Sequence, residues 1–195
     1  MQDDATDHDE RMPSRVVVIG TTGSGKTTLA RAIARAIGVP HIELDALHWD
    51  AGWTEAPAEL FRERVADAIG GERWVVDGNY SGKLGSMTYA AADTVVWLDY
   101  AFPRVFSRLF VRTMRRALRG EVLWNGNRER LRDHFFTRDS LFLWAVKSHW
   151  RHRRTYAERF SGPAHADLHV VRVRRPAEAQ AYLRGLRRLA GRARA

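Results

Sequence analysis

The sequence predicts an α/β domain built on a five-stranded parallel sheet with helices on both faces. Short β-branched apolar runs alternate with longer stretches of helical periodicity, the pattern of repeated strand–helix units. The runs are apolar at successive positions, as strands covered on both faces require. Residues 20–27, GTTGSGKT, join the first such run to the first helical stretch, which predicts a strand, a tight loop and a helix in that order.

Each element has a local reason. The first strand is Val16 to Ile19, wholly apolar. The first helix spans Gly25 to Ile37 and stops at Gly38, with Pro40 beyond it. A short second strand covers His41 to Leu44. A helix from Ala56 to Ile69 carries Leu60, Phe61, Val65, Ala68 and Ile69 at helical spacing and ends at Gly70-Gly71. The third strand is Arg73 to Val76, a short helical stretch covers Leu84 to Ala91, and the fourth strand is Thr94 to Leu98. Pro103 suits the first turn of the next helix, whose apolar side is Val105, Phe106, Leu109, Phe110 and Met114 and whose end is Gly120. Residues 121–138 are polar and arginine-rich. A long helix from Ser140 to Phe160, a fifth strand from Leu168 to Val173 and a last helix opened by Pro176 complete the pattern.

A chain of 195 residues makes one ordinary α/β domain with room for a helical insertion, here residues 15–190 with a lid-like segment at about 120–138. The absence of cysteine excludes disulfides, thiolate metal sites and a thiol nucleophile. No apolar run approaches the length of a membrane span. Residues 1–14 are acidic and polar, unlike a signal peptide, and read as a disordered tail on a cytoplasmic protein. The net charge is +9, and arginine supplies nearly all of it, since Lys26, Lys83 and Lys147 are the only lysines. Such a chain suits anionic partners, phosphates or nucleic acid.

The chemistry is concentrated in G-x-x-x-x-G-K-[ST], matched at every fixed position by Gly20 to Thr27. Gly20, Gly23 and Gly25 let the backbone turn so that N–H groups point at phosphate oxygens. Thr21, Thr22, Ser24 and Thr28 complete the loop, and the helix N-terminus adds positive charge. Lys26 would reach the β- and γ-phosphates of ATP, and the Thr27 hydroxyl would sit on Mg²⁺. Asp77, at the end of a buried run, has the Walker B placement for the same ion, with Asp99 as its competitor or a helix cap. Asp45 would accept the proton of an acceptor hydroxyl or orient it. His48, Trp49 and Trp53 follow it as pocket or packing residues. Arg108, Arg112, Arg115, Arg116 and Arg119 share one helix face. Arg112, Arg116 and, in the lid, Arg128 are the expected contacts to the transferring phosphoryl group. Asn125-Gly126-Asn127 is turn chemistry suited to a hinge. The run HWRHRR from His149 reads as a solvated basic face.

A P-loop after the first of five parallel strands suggests the nucleoside-phosphate-kinase arrangement, strand order 2-3-1-4-5, with ligands at the carboxyl ends of the strands. The segments GTTGSGKTTLA, LDALHWDAGW, RWVVDGNY, VVWLDY, RTMRR and WNGNRE together resemble the bacterial adenylate-kinase-related P-loop proteins labelled DNA topology modulation (FlaR-like) proteins, over Val16 to Leu183. The resemblance implies a nucleoside- or small-molecule-kinase-like fold with ATP or GTP as donor. It also implies that Gly20 to Thr28 bind the nucleotide phosphates and that Asp77 occupies the Walker B place. Adenylate kinases carry Asp-Gly-Phe-Pro-Arg where this chain has Asp77-Gly78-Asn79-Tyr80, so the arginine that grips an acceptor phosphate is absent from that motif.

These residues together predict an ATP- and Mg²⁺-dependent phosphotransferase acting on a small-molecule acceptor. Two other function classes use the same residues: an NTPase switch, and a nucleic-acid-associated ATPase working through the arginine surface.

Overall fold

The computed structural model describes residues 12–119, 122–127, 141–162 and 165–193. Its main sheet has five parallel strands: β1 (Arg15–Gly20), β2 (His41–Glu43), β5 (Trp74–Asp77), β6 (Thr94–Leu98) and β7 (His169–Val173), in the spatial order β2-β5-β1-β6-β7. Counted by sheet strands alone, this is the expected 2-3-1-4-5. The remaining two strands, β3 (Trp49–Asp50) and β4 (Thr54–Glu55), pair antiparallel as a separate hairpin.

Alternate residues of the central strands enter two cores. Val16 and Val18 join Val75 and Val96 beneath α1 (Lys26–Ile37) and the last helix, α8 (Pro176–Arg192), through Leu29, Ile33, Ile37, Leu183 and Leu186. Val17 and Ile19 join Val76, Val95 and Trp97 on the other face. There they meet Phe61 and Val65 of α3 (Ala58–Ala68), Leu84 of α4 (Ser81–Leu84), Tyr89 of α5 (Met87–Ala91) and Tyr156 of α7 (Leu141–Ser161). Residues Val16 to Ile19 are at most 1% exposed, which accounts for their unbroken apolar character.

Several elements differ from the sequence expectation. The second strand ends at Glu43, and Leu44 opens a helix, α2 (Leu44–His48), so Asp45 stands on a helical turn rather than on a loop. The third strand extends to Asp77. The stretch expected at Leu84 to Ala91 is two short helices separated by Gly85, which has φ 59°. The helix after β6 is α6 (Phe102–Arg119), and α7 runs from Leu141 to Ser161.

Parallel register carries the functional carboxylates to one edge. Glu43 and Val18 both pair with Asp77, from opposite sides of β5. The β1–α1 loop leaves from Gly20, one strand away.

Candidate active site

Between β1 and α1 the chain reverses through two left-handed glycines, Gly23 (φ 80°) and Gly25 (φ 94°). A Cβ on Gly23 would lie 2.8 Å from both the Cβ of Leu109 and the carbonyl oxygen of Val105, so α6 packs directly on the loop. A Cβ on Gly25 would lie 2.8 Å from Nη2 of Arg108, whose guanidinium therefore rests on the loop. Thr21 and Ser24 are buried, Thr22 is half-buried and Thr28 is exposed on the first turn of α1. That turn carries no acidic side chain, which leaves its positive end to a ligand anion.

Lys26 folds back over the loop and donates to the carbonyl oxygens of Gly20 (2.9 Å) and Thr21 (3.4 Å). Burial pushes its ammonium pKa down; Asp45 and Asp77 pull it back up, and Arg112 lowers it further. These influences bring Lys26, Asp45, Asp77 and Arg112 into one electrostatic neighbourhood. Arg116 lies one turn further along α6 and is half-buried. Arg108, on the same helix face, is the arginine that the fold sets against the glycine turn, a position that helical spacing alone left equivalent to its neighbours.

The Thr27 hydroxyl donates to Asp77 Oδ1 at 2.9 Å and lies 3.4 Å from Glu43 Oε1. Asp77 Oδ2 accepts from Nε2 of His41 at 2.6 Å. Burial and the facing Asp77 raise the Glu43 pKa, while a hydrogen bond from the Trp124 side chain acts the other way. Sequence reasoning missed Glu43 and His41. The strand register could have found Glu43, since it stands opposite Asp77. Thr27, Asp77 and Glu43 offer hard oxygen donors, the type Mg²⁺ takes, and few protein ligands suit an ion held largely by nucleotide phosphates. Among the described residues no cluster of three or more His, Cys, Asp or Glu could hold a metal ion unaided.

Asp45 Oδ1 accepts from the Tyr80 hydroxyl at 2.6 Å. Burial, then the Asp45 charge and that hydrogen bond, raise the Tyr80 pKa strongly and hold the phenol protonated. Behind them His48 is buried against Tyr80, Trp49 and Phe61, with ring centroids 4.6–4.9 Å apart. Burial and Lys83 lower the His48 pKa. Lys83 bridges to Glu55 at 2.7 Å, closing this side of the site. Asn79 clamps the loop: its Nδ2 donates to the Gly20 carbonyl at 2.5 Å, and its Oδ1 lies 3.4 Å from the Gly20 N–H.

The expected hinge at Asn125-Gly126-Asn127 is instead a clasp. Asn127 is 4% exposed; its Oδ1 accepts from the Trp53 N–H at 2.8 Å and its Nδ2 donates to the Asp50 carbonyl at 2.9 Å. Asn125 Nδ2 donates to the Trp49 carbonyl, and Trp53 packs edge-on between Trp49 and Trp124. Arg128 and the rest of the lid-like segment beyond Asn127 lie outside the described residues.

The start of the HWRHRR run is not the solvated face expected of it. His149 is 1% exposed, and its Nδ1 lies 3.3 Å from the Thr21 hydroxyl. Arg153 turns inward to Asp99, with Nε 2.6 Å from Oδ1. Asp99 also receives Arg172 through Nε at 2.9 Å and Nη2 at 2.6 Å, so it ties β6 to β7 and α7 rather than serving as metal ligand or helix cap.

A family model for the ATPases associated with various cellular activities (AAA) matches residues 16–75. Among solved structures, a gluconokinase from Sinorhizobium meliloti 1021 aligns with a TM-score of 0.51 at 22% identity, over 94% of this chain and 97% of its own. A shikimate kinase from Bacteroides thetaiotaomicron aligns with a TM-score of 0.55 at 16% identity, over 92% and 99%. The fold is that of the P-loop NTPases. Its structural neighbours are kinases, matched over nearly their whole length. Among curated proteins, the HslU protease ATPase subunit of Geobacillus kaustophilus (strain HTA426) is 47% identical over 63 residues, which is 31% of this chain. The corresponding subunit of Persephonella marina (strain DSM 14350 / EX-H1) is 34% identical over 61 residues. Each match spans only 14% of the relative's length. No helix among the described residues is long and apolar enough to cross a membrane.

Proposed function

We propose that this chain is a Mg²⁺-dependent P-loop kinase that transfers the γ-phosphoryl group of ATP to a small-molecule acceptor. The observation that carries the reading is Asp45, which stands in the electrostatic neighbourhood of Lys26 while Tyr80 holds only one of its two oxygens. A carboxylate so held offers Oδ2 to an acceptor hydroxyl, orienting it or taking its proton.

The remaining roles follow from position. The P-loop amides and the N-terminus of α1 cradle the β- and γ-phosphates. Lys26 exchanges its loop carbonyls for phosphate oxygens. Thr27 and Asp77, with Glu43 beside them, would hold Mg²⁺, which neutralises phosphate charge when bound. Arg112 faces developing charge on the phosphoryl group, joined by Arg108 and Arg116 of the same helix and, from the lid-like segment, by Arg128. The adenine would pack near Arg174 to Pro176, at the end of β7. The motif set supports a place among the adenylate-kinase-related FlaR-like proteins, with Asn79-Tyr80 replacing the acceptor-phosphate arginine of adenylate kinases.

ADP release from Mg-ATP, measured across nucleosides, nucleotides, sugars and hydroxy acids, tests the reading. One acceptor class should raise turnover well above background. Lys26→Ala should lower all turnover by about 10²–10³-fold. Asp45→Ala should remove only the acceptor-stimulated part, by about 10²–10⁴-fold. Turnover that is flat across these acceptors but rises with DNA or RNA would replace the kinase with a nucleic-acid-associated ATPase.

A further inference from the structure

α7 sets two histidines beside the P-loop. His149 is buried, with Nδ1 3.3 Å from the Thr21 hydroxyl. His152, three residues on and half-buried, has its pKa lowered by burial, by Arg151 and by the Lys26 ammonium. Thr21 and His149 are 128 residues apart in sequence, so their contact is made by the fold and not by local turn chemistry.

The His149 ring is satisfied on one side only. Nε2, across the ring from Nδ1, is buried and has no hydrogen-bond partner among the described residues. The rings of Phe102 and Trp150 stand edge-on to the imidazole, with centroids 5.3 and 5.0 Å away. An unpaired polar nitrogen in such surroundings destabilises the fold, and an apolar side chain would avoid that cost. Burial and then Arg153 lower the His149 pKa, with Asp99 acting the other way, so the ring is neutral near pH 7 and carries one N–H.

The place along the loop selects the phosphate. In P-loop proteins the lysine meets the β- and γ-phosphates. Here Lys26 Nζ rests on the carbonyl oxygens of Gly20 and Thr21, whereas Arg108 rests on Gly25 at the helix end of the loop. Thr21, and His149 with it, therefore belong to the half of the loop where the Lys26 ammonium lies.

We propose that His149 is a further nucleotide-binding residue, whose Nδ1 accepts from the Thr21 hydroxyl and whose Nε2–H donates to an oxygen of the terminal phosphate, so that α7 distinguishes a nucleoside triphosphate from a diphosphate. No bond is broken in this contact, and the proton stays on Nε2. The proposal rests on the triphosphate-binding part of the kinase reading and is independent of the acceptor.

Isothermal titration of Mg²⁺ complexes of β,γ-imido-ATP and of ADP tests it on the native chain, His149→Asn and His149→Gln. The asparagine amide reaches only the Nδ1 position beside Thr21, and the glutamine amide reaches the Nε2 position. His149→Asn should weaken β,γ-imido-ATP at least about tenfold, the worth of a hydrogen bond to a charged group, and leave ADP nearly unchanged. His149→Gln should restore most of the difference. A packing role would weaken both nucleotides alike in both variants, and that result would overturn the proposal. Nitrogen-15 spectra of the imidazoles in the native chain give a readout that needs no variant to fold. A protonated Nε2 at His149 that shifts with β,γ-imido-ATP and stays in place with ADP is the expected result. A proton on Nδ1, or an Nε2 signal that moves equally with both nucleotides, would overturn the assignment while leaving the kinase reading intact. A native chain that binds neither nucleotide would bring down that reading and this proposal together.

Discussion

Asp99 has no exposed side-chain surface, and it faces two arginines that reach it from different elements. Arg172 comes from the neighbouring strand and stacks its guanidinium on Trp97 at 4.3 Å; Arg153 comes from α7. Asp77 ends the previous strand in much the same sequence setting, yet its neighbours are a hydroxyl, an imidazole and a second carboxylate. Asp45 faces a protonated phenol. What a carboxylate does at the end of a strand is decided by what the adjacent strand and helix bring to it. Replacing Asp99 with Asn leaves two cations without their anion, but both arginines keep about a third of their side-chain surface in water. The expected loss is therefore below that of a fully buried pair, about 2–3 kcal/mol, read from urea unfolding midpoints. Nucleotide affinity should change less than stability, because the partners of Asp99 are Arg172 of β7 and Arg153 of α7.

At the scale of elements, the seat of the P-loop on α6 is the decisive contact. Gly23 lets Leu109 and Val105 approach to where a side chain would stand. Gly23→Ala must both adopt φ 80° and push α6 outward, carrying Arg108 and Arg112 with it. Nucleotide binding, followed by isothermal titration, should fall at least about tenfold, and stability should drop by about 1–3 kcal/mol. The limits of β6 were legible because buried parallel strands write themselves as unbroken apolar runs, and the order of strands because a P-loop follows the first of them. The P-loop was legible because its glycines, lysine and threonine each answer a separate demand of phosphate binding. The β3–β4 hairpin was not, since two-residue strands leave no periodicity to read. Nor was the clasp at Asn125 and Asn127, whose partners Trp49, Asp50 and Trp53 are more than 70 residues distant in sequence. Turn-forming residues say where a chain reverses, and nothing of what their side chains will hold. The buried start of the HWRHRR run was hidden for a related reason: a basic run looks solvated until a fold supplies an internal anion such as Asp99.

For the whole molecule, the buried His48 and His149 and the half-buried His152 shape the response to acid. The His152 pKa is lowered from 6.5 to about 4 by burial, Arg151, Lys26 and His149. Those of His149 and His48 are lowered as well, burial being the largest cause in each. The unfolded chain takes up these protons as pH falls below about 6.5, whereas the folded chain resists until near 4 for His152. Their contribution to stability is thus complete above about 6.5 and is lost as pH falls toward 4. Between pH 6.5 and 5 the His152 share should be about 1 kcal/mol, after allowance for its partial contact with water. His152→Gln should shrink the difference between urea midpoints measured at pH 7.5 and pH 5. The sheet order carries another consequence, for biosynthesis. β1 is translated before the other four strands of its sheet, yet it lies at the middle of the sheet and both of its hydrogen-bonding neighbours, β5 and β6, emerge much later. Until Trp74–Asp77 leaves the ribosome, the sticky segment Val16 to Ile19 has no edge to join. A nascent chain stalled within α3 is the form most dependent on chaperones, and the form in which a ribosome-bound holdase would leave its clearest footprint.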